Sequence, residues 1–312
     1  MKPFAFVFPG QGSQAVGMLD AWGDHPVVTQ VLKECSEALG EDIANLIKNG
    51  PKEALALTTN TQPVMLVAGV AAYRAWASEG GFAPSVVAGH SLGEYSALVA
   101  SGVLSLHDAV QTVRLRAAAM QEAVPVGVGA MAAVLGMSAA DVTACCVEAA
   151  AMTGEVVEAA NFNDPAQTVI SGSKAGVEKA SELLKARGAK RCLPLPVSAP
   201  FHSSLMKPAA EKLREKLATL TFNAPQIPLV NNIDVAIELD TAKIKDALYR
   251  QAFGPVRWVE CISAMKARGI TTVIECGPGK VLAGMCKRID AGLVSGAVFD
   301  PGSLAETKLL LG

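Results

Sequence analysis

Ser91 lies in Gly89-His90-Ser91-Leu92-Gly93, preceded by the apolar run Val86-Val87-Ala88 and followed by Glu94, Tyr95, Ala97, Leu98, Val99 and Ala100 at helix-compatible spacing. Gly-x-Ser-x-Gly between a strand and a helix is the mark of a nucleophilic serine, because the glycines permit a strained turn that lifts the hydroxyl clear of the sheet. The backbone N–H after the serine, that of Leu92, and the positive end of the opening helix dipole favour an oxyanion there. In a chain with 28 glycines the pentapeptide alone is a weak signal. Its strand-turn-helix context distinguishes it from an ordinary glycine-rich turn.

A serine hydroxyl is hardly ionised at neutral pH and needs a base. The chain has four histidines, His25, His90, His107 and His202. His90 adjoins the serine and is expected to point away across the turn, His25 lies in a polar connection before Pro26, and His107 begins a helix beside Asp108. His202 follows Val197-Ser198-Ala199-Pro200-Phe201 on a loop that can overhang the serine. An imidazole near its ordinary pKa of about 6.5 can accept the serine proton. Spacing favours His202 but does not exclude a purely structural histidine. No acidic third member is apparent. By residue type alone Gln251 reads as an exposed helix residue, and Asn161 and Asn231 are equally eligible to orient a base.

The elements that position these groups alternate. Phe4 to Phe8 reads as a buried strand ended by Pro9-Gly10, and Gly10-Gln11-Gly12-Ser13-Gln14 as a loop rich in backbone donors. Apolar periodicity predicts helices over 63–76 and 106–122, the second carrying Arg114 and Arg116, with Arg114 expected to face solvent. After Val124-Pro125-Val126-Gly127 a self-contained β-α-β-β-α-β pattern begins. Its strands are expected at 130–135, 156–160, 167–171 and 191–197 and its helices at 138–152 and 174–187, with Asn161-Phe162-Asn163-Asp164-Pro165 as the middle turn. Strands near 228–232 and 271–275 resume the α/β alternation. The expected fold is therefore α/β, an α/β-hydrolase-like parallel-sheet host formed by residues 1–125 and 199–312 with a ferredoxin-like insert at 126–198. Catalytic groups belong at the carboxyl ends of the host strands, facing the insert.

At 312 residues, 51% apolar and 18% charged, the chain can bury a large core. A net charge of −2 gives no nucleic-acid footprint. No apolar run approaches the roughly 18 residues of a membrane span, and the opening strand is too short and too quickly ended by proline for a signal peptide. Seven cysteines, an odd number with Cys145 and Cys146 adjacent, suit reduced thiols in the cytoplasm. Without Cys-x-x-Cys spacing they suggest no zinc site. Gly127-x-Gly129-x-x-Ala132 matches a dinucleotide fingerprint formally but runs into strand-like residues where a helix is needed. Gly277-Pro278-Gly279-Lys280 lacks the Walker spacing and reads as a structural turn near the pocket.

Taken together, Gly10-Gln11-Gly12-Ser13-Gln14, Gly89-His90-Ser91-Leu92-Gly93-Glu94-Tyr95, Arg116, Ser198-Ala199-Pro200-Phe201-His202-Ser203, and Arg250-Gln251 before Pro255-Val256-Arg257-Trp258 resemble the bacterial malonyl-CoA:acyl carrier protein transacylases of type II fatty acid synthesis. The resemblance spans essentially the whole chain. It implies the fold described above, no cofactor, and malonyl-CoA and an acyl carrier protein as partners. It also implies that Ser91 takes the malonyl group as an ester and a phosphopantetheine thiol collects it, with His202 moving the proton in both half-reactions. The oxyanion hole would be the N–H groups of Gln11 and Leu92, with Gln251 orienting His202 through a neutral oxygen such as its backbone carbonyl.

The resemblance assigns specificity to Arg116, since malonyl differs from acetyl by a carboxylate that a guanidinium grips in a two-pronged hydrogen-bonded fork. Because carrier proteins of this kind are acidic, Lys185, Arg187, Lys190, Arg191 and Lys207 become a candidate docking patch. Competing readings are a serine thioesterase or other hydrolase, a polyketide-pathway acyltransferase, and a catalytically silent carrier scaffold.

Overall fold

The computed structural model describes residues 3–197 and 199–312. Ser198, the expected end of the insert and first residue of its motif, lies outside the described residues. β1 (Phe4–Phe8) is buried along its whole length. Its alternation explains why. Phe4, Phe6 and Phe8 join one apolar core, Ala5 and Val7 another, so the strand is covered on both faces as a central parallel strand must be. Phe6 stacks edge-on against Trp76 at 5.5 Å, and full burial of such a ring contributes about 1.5–3 kcal/mol.

Around β1 stand β2 (Val86–Gly89), β7 (Leu229–Val230), β8 (Thr272–Cys276) and β9 (Val294–Val298), all parallel, in the order β7-β2-β1-β8-β9. The chain leaves β1 toward β2 on one side and later returns to β8 on the other. That reversal opens a crevice beyond the strands' carboxyl ends. Helices Thr58–Ser78, Gly93–Ala100 and Leu106–Glu122 fill the core on the phenylalanine face, and Trp258–Ala267 and Val281–Ile289 cover the opposite one.

The second sheet comprises β3 (Gly129–Leu135), β4 (Val157–Asp164), β5 (Gln167–Ser173) and β6 (Arg191–Pro194), antiparallel in the order β4-β5-β3-β6. With helices Ala139–Thr153 and Lys174–Ala186, each N-capped by a serine, it is the ferredoxin-like insert. Two details differ from expectation. Asn161 to Asp164 continue β4, leaving only Pro165 and Ala166 as the turn. Asparagine-rich sequence mimics a turn, but here two register shifts absorb it within the strand. β6 stops at Pro194, short of Val197, although Leu195 N–H still donates to Met131 O at 2.9 Å.

β4 also ties the insert to the host. Phe162 N–H donates to Val256 O at 3.0 Å, Val256 N–H to Ala160 O at 2.8 Å, and Arg288 Nε to Asp164 Oδ2 at 2.7 Å. The first long helix extends to Thr58–Ser78 with Pro63 inside it. A proline there cannot donate to the carbonyl four residues back. Arg114 Nη1 bonds that carbonyl, Thr59 O, at 2.8 Å. Arg114 therefore packs inward, contrary to expectation, and also bonds Asn60 Oδ1 at 2.8 Å.

Candidate active site

β2 delivers the chain into the turn at Gly89, and the helix Gly93–Ala100 takes it away. Ser91 sits between them with φ 54°, a left-handed conformation that costs a non-glycine residue about 1–3 kcal/mol and persists only under external restraint. Crowding dictates the flanking glycines. A Cβ on Gly89 would lie 1.9 Å from the Gly93 carbonyl, and one on Gly93 would lie 2.2 Å from Phe8 O. Asn232, just past β7, supplies much of the restraint: its Oδ1 accepts the Ser91 N–H at 2.8 Å and its Nδ2 donates to Gly89 O at 2.7 Å.

The structure brings Ser91 and His202 together, with Oγ 2.6 Å from Nε2. His202 also has a left-handed backbone, φ 59°, and is 4% exposed. Its Nδ1 faces two carbonyls, Gln251 O at 2.9 Å and Gly254 O at 3.1 Å. Carbonyls only accept, so the ring proton sits on Nδ1, Nε2 carries a lone pair, and the Ser91 hydroxyl donates to it. Burial, then the nearby Arg116 charge, pushes the imidazole pKa down to about 3. At neutral pH the group is thus an unprotonated base.

Arg116 projects from the helix Leu106–Glu122 into the same pocket and is 2% exposed. Its Nη1 donates to Gln62 Oε1 at 2.5 Å and its Nη2 to Ser91 Oγ at 3.2 Å and Gln251 Oε1 at 3.1 Å. Gln251, fully buried rather than exposed, also donates from Nε2 to Ser91 O at 2.9 Å and to Glu94 Oε2 at 3.0 Å. These groups border a cavity of about 200 Å³ whose apolar wall includes Met120 and Phe201 of the host and Met131 and Val169 of the insert. Gln11 and Leu92 border it too. Neither of their backbone N–H groups has a hydrogen-bond partner among the described residues, as donors waiting for an oxyanion would be.

The other sequence candidates separate cleanly. His90 turns away, with Nε2 2.8 Å from Asn163 Oδ1 and its ring edge-on to Trp258. His25 lies against Trp22 and Glu79, and His107 is exposed. Neither Asn161 nor Asn231 hydrogen-bonds His202 among the described residues; Asn161 bridges to Val256 and Asn231 accepts from Asp234 N–H. At 127–132 β3 begins where a nucleotide-binding helix would be needed, and Gly129 is required because a Cβ would strike Pro200 at 2.3 Å. The Gly277–Gly279 turn packs on the Gln11 loop, a Cβ on Gly279 falling 2.9 Å from Ser13 Oγ. Gln62, Glu94, Asn232 and Gly254 escaped the sequence reading. Of these only Glu94 lies within a recognisable motif, whereas Asn232 follows a two-residue strand with no local signal.

Among the described residues no cluster of three or more His, Cys, Asp or Glu could hold a metal. No described helix is long and apolar enough to cross a membrane. A parallel α/β sheet whose second strand delivers a serine to a neutral histidine, with amide donors poised beside it, defines an acyl-transfer enzyme of the serine-nucleophile class. The chain belongs to the family described as the acyl transferase domain, whose model matches residues 5–290. It is 52% identical over 306 residues to the malonyl CoA-acyl carrier protein transacylase of Escherichia coli K12, covering 98% of each chain. It matches the crystal structure of an acyl-carrier-protein S-malonyltransferase from Burkholderia pseudomallei 1710b at 64% identity and TM-score 0.97, covering 99% of this chain and 100% of that one. A malonyl-transacylase solved in complex with its type II PKS acyl-carrier protein matches at 48% identity and TM-score 0.97 over the full length of both chains.

Proposed function

We propose that this protein transfers the malonyl group from malonyl-CoA to the phosphopantetheine thiol of an acyl carrier protein, supplying fatty acid synthesis, and does so in the cytoplasm. The observation that carries this reading is the placement of a buried guanidinium on the nucleophile itself, Arg116 Nη2 lying 3.2 Å from Ser91 Oγ. A malonyl carboxylate is two bonds from the thioester carbon. A group that holds the carboxylate must therefore stand beside the attacking oxygen.

His202 Nε2 takes the Ser91 proton as Oγ attacks the thioester, and Leu92 and Gln11 N–H groups receive the oxyanion. Collapse expels the CoA thiolate, which takes the proton from His202, and leaves the malonyl-serine ester. The carrier thiol then enters, gives its proton to His202, attacks the ester, and Ser91 leaves with that proton. Each oxyanion donor of this kind is worth about 2.7–4 kcal/mol in the transition state. The neutral imidazole fits both halves, since it must begin each without a proton.

Residues 1–125 and 199–312 form the catalytic unit in this reading and 126–198 the insert that walls the pocket. Seven unpaired, buried thiols fit a reducing compartment. Intact mass after mixing with malonyl-CoA tests the reaction. A malonyl adduct that is absent in Ser91→Ala and discharged by a carrier thiol supports it; rapid release of free malonate would mean a hydrolase, and no adduct a silent scaffold.

A further inference from the structure

Beneath the nucleophile lies a buried carboxylate that acyl transfer does not use. Glu94 is 1% exposed, and its Oε2 accepts from the Asn232 N–H at 3.0 Å and from Gln251 Nε2 at 3.0 Å. Gln251 in turn accepts from Arg116 Nη2 at 3.1 Å through the other end of the same amide. Arg116 makes no direct ion pair among the described residues; its hydrogen-bond partners are Gln62, Ser91 and Gln251, and its guanidinium lies 5.7 Å from the centroid of the Tyr95 ring. A buried cation needs an anion nearby. Glu94 is that anion, one amide away.

We propose that Glu94 is the resting counter-ion of Arg116 and takes up a proton when the malonyl carboxylate docks on the guanidinium. The inference rests on the malonyl reading of the pocket. Two carboxylates around one buried cation repel, and the one without direct contact to the cation is the one that neutralises. Protonated Glu94 keeps an acceptor oxygen for Gln251, so the amide need not move.

The surrounding groups leave Glu94 as the proton acceptor. Burial raises Glu94 to about 7, against the hydrogen bonds from Asn232 and Gln251 and the charges of Arg116 and, with opposite sign, Asp234. His202, facing Arg116 from its loop, is held near 3 and stays neutral. Tyr95 on Glu94's own helix and Cys261 on the helix Trp258–Ala267 are pushed up by burial and stay protonated. Asp234 stays ionised, held down by its hydrogen bonds to Arg250. Glu275 is also raised to about 7, but its Oε2 accepts from the Ala283 N–H, under another helix. Glu94 borders a cavity of about 10 Å³ together with Asn231 and the partly exposed Glu238. That is room for about one water, and the buried Asn231 Nδ2 has no other partner.

Titration calorimetry of Ser91→Ala protein near pH 7, in two buffers of different ionisation enthalpy, tests this. Malonyl-CoA binding is expected to take up a measurable fraction of a proton, as the ionised part of Glu94 is neutralised. Acetyl-CoA, which has the same nucleotide and no carboxylate, takes up none. Adding Glu94→Gln abolishes the difference and adding Glu275→Gln preserves it. In the active enzyme the malonyl-CoA KM rises with pH above about 7, by up to roughly tenfold per unit, and Glu94→Gln flattens that slope. Equal proton uptake with both thioesters, or a difference that survives Glu94→Gln or is lost in Glu275→Gln, would overturn the proposal. Should Glu94→Gln not fold, the malonyl-versus-acetyl difference and the Glu275→Gln result decide it. Failure of malonyl-CoA to bind at all would overturn the malonyl reading with it.

Discussion

The Arg116 guanidinium donates to the Ser91 hydroxyl oxygen across 3.2 Å, while His202 stands 2.6 Å away on the same oxygen. The proposed base, nucleophile and carboxylate clamp therefore converge on one atom. Gln251 links them further, its backbone carbonyl accepting from His202 and its side chain from Arg116.

Replacing Arg116 by Ala is expected to cost malonyl transfer about 2–5 kcal/mol in kcat/KM, on the order of 30- to several-thousand-fold, with far less effect on acetyl transfer. Arg116→Lys restores little, because a point charge cannot form the paired bonds. An unchanged malonyl-to-acetyl ratio in steady-state assays would remove Arg116 from the clamp.

Acylation of Ser91 by acetyl-CoA is expected to show no inflection near pH 6.5, because His202 titrates near 3 in the folded protein. The rate should stay flat from about pH 8 to about pH 5. The same shift has a stability consequence of definite sign. Above 6.5 both folded and unfolded His202 are neutral and contribute nothing; between 6.5 and about 3 only the unfolded chain binds the proton, so stability falls with acid. Urea melts of His202→Asn should lose that part of the acid sensitivity, and an unaltered pH dependence would contradict the depressed value.

Arg114→Ala is expected to destabilise the fold by about 1–3 kcal/mol, because Thr59 O loses the donor that stands in for the N–H missing at Pro63. Pro63→Ala supplies that N–H. In its background the cost of Arg114→Ala should shrink by a measurable coupling energy, read from denaturant melts of the four variants. Additive costs would mean that the two residues are independent.

The basic cluster can be separated by reaction half. Lys185, Lys190 and Arg191 are exposed, whereas Arg187 is already paired with Glu148 at 2.5 Å and Lys207 lies over the Phe253 ring. Reversing Lys185, Lys190 and Arg191 to Glu should raise the carrier KM several-fold and weaken its salt dependence, leaving acylation by malonyl-CoA unaltered. A carrier KM that stays constant would place the docking surface elsewhere.

Much of this protein is set by local sequence. Alternating Phe and small residues in β1 make a strand with two buried faces, and the glycines flanking Ser91 at the end of β2 make a turn that lifts its hydroxyl from the sheet, because these preferences act over a few neighbouring residues. Several motifs in order also implied the family and the pairing of Ser91 with His202, 111 residues apart. Tertiary structure alone decided the rest. Gln251 is buried by packing rather than by any apolar pattern of its own, and Arg114 turns inward to serve a carbonyl 55 residues away. Asn161 and Asn163 belong to a bulged strand instead of a turn, since pairing with β5 and Val256 outweighs their local preference. Asn232 clamps the serine turn from 141 residues along the chain, and Glu94 balances Arg116 through an intervening amide. Polar contacts of that kind depend on where the backbone brings two side chains, and burial, which no single residue encodes, gives them their strength.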